Sequence, residues 1–479
     1  MHASNVEQAG VIGELEAQVE QFARVIDQLV ARNEVLTAEV VELRRRLGLN
    51  SRNSSKPPSS DGVRKPPPRS MREPSTRKPG KQPGAVGKTL TRVPDPDEVM
   101  EYRPPRCRGC HADLAGAPVV DVDRRQVVDL PPIRPVVIEH RMMSCECVCG
   151  TVTKAGAPQG VSAAVQYGPG AAAVAVYLLV AQHVPFARVV RIMADLLGLL
   201  VSPGWVNNCL ARAAAALTAF RDRLRAGLAA ADLVHFDETG VRVGGRLWWV
   251  HVACTALLTS YHLDERRGQE AMQRHGILPD MSAPQVAVHD GWMSYFKAPY
   301  DRIEHALCNA HHLRELAGWA ETGDTNRAWA QPFIDLLRQG NRLVTKAKAD
   351  GRTHLPDTTY TRLLKRWQQA IDNAEAAIAP PAKGRGDRLA LVDRLKATTE
   401  IWRFARDFTV PFDNNQAERD IRMIKLHNKI SGAWRKPANA TRWLQVREYI
   451  STITKNGLDT LTALRDAITG NAWLPPLPE

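Results

Sequence analysis

The chain has 479 residues, room for about three domains at roughly 150 residues each. With 44% hydrophobic and 24% charged residues it is neither collagen-like, mucin-like nor wholly disordered. Its net charge of +13, from 64 Lys+Arg against 51 Asp+Glu, makes a polyanion the first partner to expect. The longest strongly apolar run, Ala171 to Ala181, has eleven residues, short of the roughly 18 that span a bilayer. Met1 to Gly10 shows no secretory pattern, so a cytoplasmic protein without a membrane partner is expected. The 8 cysteines then point to metal binding or packing rather than to disulfides.

In chain order, residues 11–48 keep a heptad. With d at Leu15, Phe22, Leu29, Leu36 and Leu43, the a positions are Ile12, Val19, Ile26, Asn33, Val40 and Leu47. β-Branched a residues with mostly leucine at d predict a two-stranded parallel coiled coil over 1–49, and the one polar a residue, Asn33, fixes its register. Glu39 at g can meet Arg44 at e of a partner helix, so the expectation is a homodimer. An amphipathic helix packed on its own chain is the alternative.

Composition shifts abruptly at Asn50. Asn50 to Arg92 contains eight prolines, eleven Lys/Arg and two acids, a net +9 that carries most of the chain's surplus charge. Such a stretch cannot bury a core, so 50–99 reads as a basic, Pro-rich disordered arm. Arg77, Lys78 and Lys81 are its expected DNA contacts, neutralising phosphates with release of counterions. Their Pro/Gly-rich setting could follow a minor groove; a solvated linker is the alternative.

Residues 100–155 hold Cys107, Cys110, Cys145, Cys147 and Cys149, with Val127 to Leu130 and Val136 to Ile138 reading as short strands between them. Cysteine pairs at either end of a small β unit suit one tetrahedral, structural Zn²⁺. Cys107 and Cys110 form the first pair. Cys147 and Cys149 are preferred for the second because Gly150 follows, and Cys145 stays open as a substitute. Ala-rich amphipathic stretches predict a helical domain over 156–230, broken at Val201 to Gly204.

From Leu233 the pattern changes to strands. Leu233 to Glu238 is an apolar strand ending in carboxylates, Gly244-Gly245 makes a hairpin, and Leu247 to Ala253 and Leu257 to Leu263 follow as second and third strands. A helix is expected from about Gly268, then a strand over Gln285 to Asp290, with Gly291-Trp292 opening another helix. Three antiparallel strands, a helix and a further strand open a ribonuclease-H-like fold, in which neighbouring first and fourth strands set Asp237 beside Asp290. Later, Phe412 to Arg422 reads as a helix start capped by Asn414 or Asn415; a cap at Asn415 puts Glu418 in the capping-box position. Glu418, Arg422, Lys425 and Lys429 share one face, a carboxylate followed by a basic stripe. Glu238 alternates away from Asp237, His289 reads as a packed histidine, and Cys308-x-x-His311 as support for the site or a partial metal site.

These stretches together resemble the transposases of insertion-sequence family 66, within the DDE group. The resemblance rests on Asn53 to Gly62, Asp237 to Gly240 with Trp248-Trp249, His289 to Trp292, Cys308-x-x-His311 with Arg314 to Leu316, and Asp413 to Asn415 through Lys429 to Gly432. One departure is Ala85, where the family often has a histidine after its Gly-Gln-Pro-Gly-like segment. The resemblance implies an α/β chain: a ribonuclease-H-like catalytic core at 231–315 and 406–435, interrupted by a helical insertion at 316–405 and followed by a helical segment at 436–479. The coiled coil, the basic linker and the small zinc-binding module precede that core.

It further implies a metal-dependent DNA transposase, cytoplasmic and nucleoid-associated, acting on double-stranded DNA at element ends and target, with small accessory proteins from the same element as further partners. Asp237, Asp290 and Glu418 are the expected catalytic set, hard oxygen ligands for two Mg²⁺ or Mn²⁺ ions about 3.5–4 Å apart. Arg422, Lys425 and Lys429 are the expected phosphate contacts. A dimeric zinc-and-zipper DNA-binding regulator and a ribonuclease-H-type nuclease without strand transfer are the rivals.

Overall fold

The computed structural model describes residues 2–48, 89–380 and 385–476. Arg77, Lys78 and Lys81, and most of the expected basic arm, lie outside the described residues. Helix α1 spans His2–Gly48 and so covers the predicted heptads. Every described a and d side chain from Val19 to Leu47, Asn33 included, is exposed. No helix among the described residues is long and apolar enough to cross a membrane.

Two compact units separate among the remaining described residues. One comprises 89–155 and 191–201, the other 156–190 and 202–476. The first has little regular structure: a two-stranded antiparallel pair, β1 (Ser144–Glu146) and β2 (Val152–Lys154), with Cys145 opposite Thr153. The strands expected at Val127 to Leu130 and Val136 to Ile138 do not form. Their apolar side chains stay exposed, and β-branched residues favour a strand only where a ladder partner and a buried face exist.

The cysteines of this unit sit in two tight turns. His111 donates its backbone N–H to the Cys107 carbonyl (3.0 Å), and the N–H groups of Gly109 and Cys110 face the Cys107 thiol and lower its pKa. In the second turn Gly150, in the left-handed region at φ 82°, donates to the Cys147 carbonyl (2.8 Å), and Thr151 holds the Cys149 thiol down at about 7. Among the described residues no three of these thiols lie within 4.8 Å of one another.

The larger unit begins with α2 (Pro169–Val176) and the first five residues of α3 (Phe186–Leu197), whose remainder belongs to the smaller unit, and continues with α4 (Pro203–Ala216) and α5 (Thr218–Ala229). Ser202 caps α4 by accepting the Trp205 N–H, with Pro203 at the first helical position, so the break at 201–204 doubles as a helix start. A five-stranded mixed sheet follows: β3 (Leu233–Val243), β4 (Arg246–Cys254), β5 (Thr259–Asp264), β6 (Val286–His289) and β7 (Glu304–Leu307), in spatial order β5-β4-β3-β6-β7. The first three strands are antiparallel; β6 and β7 run parallel to β3. Gly244 and Gly245 take φ 56° and 80°, the left-handed pair that a two-residue hairpin requires.

Helix α6 (Gln269–His275) links β5 to β6. The helix expected after Gly291-Trp292 shrinks to one 3₁₀ turn, Met293–Tyr295, and the next regular element is β7, which the sequence reading missed. A strand of four residues, three of them buried, carries too little periodicity to announce itself.

Beyond β7 come α7 (Asn309–Ala320), α8 (Asp324–Ala349), α9 (Asp357–Ala377), α10 (Gly386–Leu395) and α11 (Thr398–Arg406). Their apolar residues form one core with β6 and β7, centred on Phe333, Trp367 and Trp402 in successive edge-to-face contacts of 5.0 and 5.4 Å. Gly340 lets Trp402 approach α8, since a Cβ there would stand 2.5 Å from the indole.

The chain then returns through α12 (Asn415–Ser431), α13 (Pro437–Lys455) and α14 (Thr460–Ile468). Helix α13 covers the open edge of the sheet. Glu448 accepts the Tyr261 N–H (2.7 Å) and the Ser260 hydroxyl (3.1 Å) of β5, and pairs with Arg221 of α5 (3.0 Å). Edge strands left unpaired invite other chains, and a buried carboxylate closes this one.

Candidate active site

β3 carries Asp237 and Glu238 midway along its length, where the apolar run Val234 to Phe236 gives way to polar residues. β6 is four buried residues long, and Asp290 follows at once. The parallel register pairs Leu233 with Val286, Val234 with Ala287 and His235 with Val288. Continued by two residues, that register sets Asp237 opposite Asp290. Asp290 Oδ1 accepts the Trp292 N–H (3.0 Å), an Asx turn that fixes the carboxylate as the chain leaves the sheet.

The carboxylates crowd one another. Protein surrounding Asp237 strips it of water, and the charges of Glu238 and Asp290 push further; together they raise its pKa to about 7 against the pull of Lys425 and His311. Burial and Asp290 likewise raise Glu238 to about 7, opposed by Arg267 and by the Tyr295 hydroxyl, which donates to it. Arg267 is the cation nearest this corner. Its guanidinium pairs with Glu238 (3.2 Å) and Asp290 (3.8 Å) while lying over the rings of Trp292 (4.2 Å) and Trp249 (5.2 Å). Aromatic faces on a guanidinium add cation–π attraction and limit its freedom.

One asparagine joins this corner to the third carboxylate. Asn414, buried, accepts the His235 Nδ1–H through Oδ1 (2.7 Å) and donates Nδ2–H to the Phe236 carbonyl (2.7 Å), the peptide just before Asp237. Its own N–H donates to Cys308 Sγ (3.2 Å). The helix behind it begins at Asn415, with Asn414 as cap residue but its side chain turned to the sheet. Asn415 is therefore not the cap, and Glu418 stands one residue past the capping-box position. The buried amide finds stronger partners in the sheet than a helix terminus offers, which leaves the Glu418 carboxylate free for other work.

Glu418 Oε1 stands 3.9 Å from His311 Nδ1, and Lys425, two helical turns further and partly buried, lies in the fields of both Glu418 and Asp237. His311 acts on Asp237 as well. The structure thus places Asp237 and Asp290 side by side; Glu418 groups instead with Cys308 and His311, and shares with Asp237 the charges of Lys425 and His311. Arg422 and Lys429 are exposed on the same helix. His289 is buried, stacked on Tyr295 at 4.2 Å and bonded to His305 at 3.0 Å, a packed residue.

Glu238, Arg267 and Tyr295 were not assigned to the site from sequence. Strand alternation correctly separates Glu238 from Asp237, but Asp290 lies past the strand end and feels both. A second acid beside Asp237 in an otherwise apolar strand was the available signal, because a buried carboxylate demands a donor and a cation. Arg267, in the turn after β5, had no such marker.

The chain was compared with known proteins. A family model described as Transposase IS66 family matches residues 164–442, and a family of unknown function (DUF6444) matches residues 2–91. No curated relative matches the chain.

Proposed function

We propose, since this chain belongs to the IS66 family of transposases, that it cleaves phosphodiester bonds at element ends and joins the freed 3′-hydroxyl to target DNA. The observation that carries the reading is the pair of acids on neighbouring parallel strands, Asp237 and Asp290; Lys425, which lies in the fields of both Asp237 and Glu418, supports Glu418 as the third. The sheet order β5-β4-β3-β6-β7, three antiparallel strands extended by two parallel ones, supports a ribonuclease-H-like core interrupted by the helices α8 to α11.

The donor set fits divalent cations. The Asp237 carboxylate, whose ionisation is opposed by burial and by the charges of Glu238 and Asp290, gains from an ion that takes oxygen ligands. Asp237, Asp290 and Glu418 would hold Mg²⁺ or Mn²⁺, and two such ions supply ionisation of the attacking hydroxyl and neutralisation of the phosphate. The chain's own residues do the rest. Arg422 and Lys429 grip the phosphate backbone from the exposed face of α12. Lys425, between two carboxylates, holds a phosphate oxygen toward them. Arg267 restrains Asp290 from behind, fixed by two indole rings and Glu238. Water first attacks at the element end, and the 3′-hydroxyl so released attacks the target in line. Neither step needs a covalent link to the protein.

The remaining parts of the proposal concern assembly. The exposed apolar seam of α1 supports a parallel coiled-coil homodimer. Each cysteine turn fits half of a structural zinc site, with Cys107 and Cys110 facing one way and Cys147 and Cys149 in contact; one zinc would require the two turns to close on each other.

The test is cleavage of DNA bearing the element's ends by the purified protein. Cleavage should need Mg²⁺ or Mn²⁺ and vanish in Asp290→Asn. Metal-independent cleavage, or an active Asp290→Asn, would reject the assignment, and cleavage without joining to target DNA would favour the nuclease.

A further inference from the structure

We propose that Cys308, His311 and Glu418 form a binding site for one transition-metal ion of the zinc class, different in donor chemistry from the all-oxygen pair Asp237 and Asp290. Among the described residues these are the one group of three metal-ligating side chains, with Sγ, imidazole nitrogen and carboxylate oxygen all within 4.8 Å of one another.

The fold builds this juxtaposition at a junction of three elements. Cys308 ends the β7 connection as the cap residue of α7, and His311 lies three residues on, on the same side of the first turn. The Asn309 N–H donates to the Phe412 carbonyl (3.1 Å), and the Asn414 N–H to Cys308 Sγ (3.2 Å). These two bonds stitch the start of α7 to the segment that opens α12 and so deliver Glu418 to His311.

Three observations point to an ion there. His311 Nδ1 is buried and has no hydrogen-bond partner, a cost that a native structure rarely accepts without return. Its 3.9 Å separation from Glu418 Oε1 is too long for a hydrogen bond but close to that of two ligands on one tetrahedral ion, roughly 3.3–3.5 Å. The buried Cys308 sulfur accepts the Asn414 N–H (3.2 Å), a bond that holds it beside the other two donors.

A sulfur, nitrogen and oxygen set excludes Mg²⁺ and Ca²⁺, which take oxygen, and selects Zn²⁺ or the related Co²⁺. Three protein ligands leave the fourth tetrahedral position open. The His311 and Glu418 side chains are 19% and 25% exposed, so that position can be reached from solvent by water or a phosphate oxygen. Binding at this trio does not rest on the phosphodiester reading, although Glu418 belongs to both.

The experiment is a Co²⁺ titration of the reduced, chelator-stripped full-length chain, followed by absorption and metal analysis. The cysteine turns at 107–110 and 147–150 contribute a signal of their own, so the comparison is between variants. Cys308→Ser, His311→Gln and Glu418→Gln should each lose one Co²⁺ per chain or bind it at least about tenfold more weakly. Cys308→Ser should also lose part of the thiolate-to-cobalt charge-transfer band. Zn²⁺ should compete for the same place. Equal stoichiometry and affinity in all four proteins would overturn the proposal. Should Cys308→Ser fail to fold, by circular dichroism, the partly exposed His311→Gln and Glu418→Gln decide. Asp290→Asn keeps the Co²⁺ site while losing DNA cleavage, so failure here and failure of the phosphodiester reading are distinguishable.

Discussion

The acidic corner of the sheet and the cysteine turns both gather metal-type side chains, by opposite means. Asp237 and Asp290 are far apart in the chain and become neighbours through a parallel strand pair, and one buried asparagine ties the start of the Glu418 helix to the strand of Asp237. Cys107 with Cys110, and Cys147 with Cys149, are neighbours in sequence and held by turns of a few hydrogen bonds. The corner exists before any ion arrives, and its charge is the problem an ion would relieve. The turns exist as two halves, and their closing is what an ion would supply. Preorganised sites of the first kind report fold stability, whereas those of the second kind report metal occupancy.

The largest expected effect breaks the first region without touching a carboxylate. Asn414→Ala removes the amide that bonds both His235 and the Phe236 carbonyl, leaving buried polar groups unpaired at about 1–3 kcal/mol each. Activity should fall by roughly 10–100-fold, as for other groups that orient metal ligands. Urea denaturation and cleavage assays read the two effects separately; unchanged activity in a destabilised but folded Asn414→Ala would show that Asn414 does not position the site. A smaller and more local change follows chelation of the second region. Hydrogen exchange should quicken in residues 100–155 and stay slow in β3, β4 and β6. Equal loosening of the sheet would erase the contrast.

The same contrast explains what the sequence made legible. Heptad spacing along α1, the Gly244-Gly245 hairpin, the strand-terminal acids and the cysteine spacings are local signals, readable from a few residues each. The neighbouring positions of Asp237 and Asp290 were inferred from strand order, and the β3–β6 pairing has that order. What escaped were long-range polar partnerships. Asn414 read as a helix cap, because a cap is the local use of asparagine, while its actual partners lie about 180 residues upstream. Arg267 and Tyr295 become visible only once Glu238 is buried beside them. The false strands at 127–130 and 136–138 fail for the converse reason: local propensity was present and a ladder partner was not.

The smallest effect is also the most discriminating, because the two regions should respond to pH with opposite sign. Asp237 and Glu238 titrate near 7 when folded, above their unfolded values of 3.8 and 4.5. Between about pH 4 and 7 the folded chain therefore holds protons that the unfolded chain has released, so stability falls as pH rises through that window and levels off above it. The slope is at most about 1.4 kcal/mol per pH unit for each carboxyl. Glu238→Gln keeps an acceptor for Tyr295 and Arg267 but cannot ionise, so its urea midpoint should vary less between pH 5 and 7.5. The Cys149 thiol sits near 7 when folded, below its unfolded 9.0. There the unfolded chain holds the extra proton, and the turn should tighten as pH rises from 7 to 9. Exchange rates of the β3 and 147–151 amides, followed from pH 5 to 9 after correction for intrinsic chemistry, should thus diverge. Parallel responses would mean that burial and neighbouring charge do not hold these carboxyls above their unfolded values, and a strong reason for placing cations there would be lost.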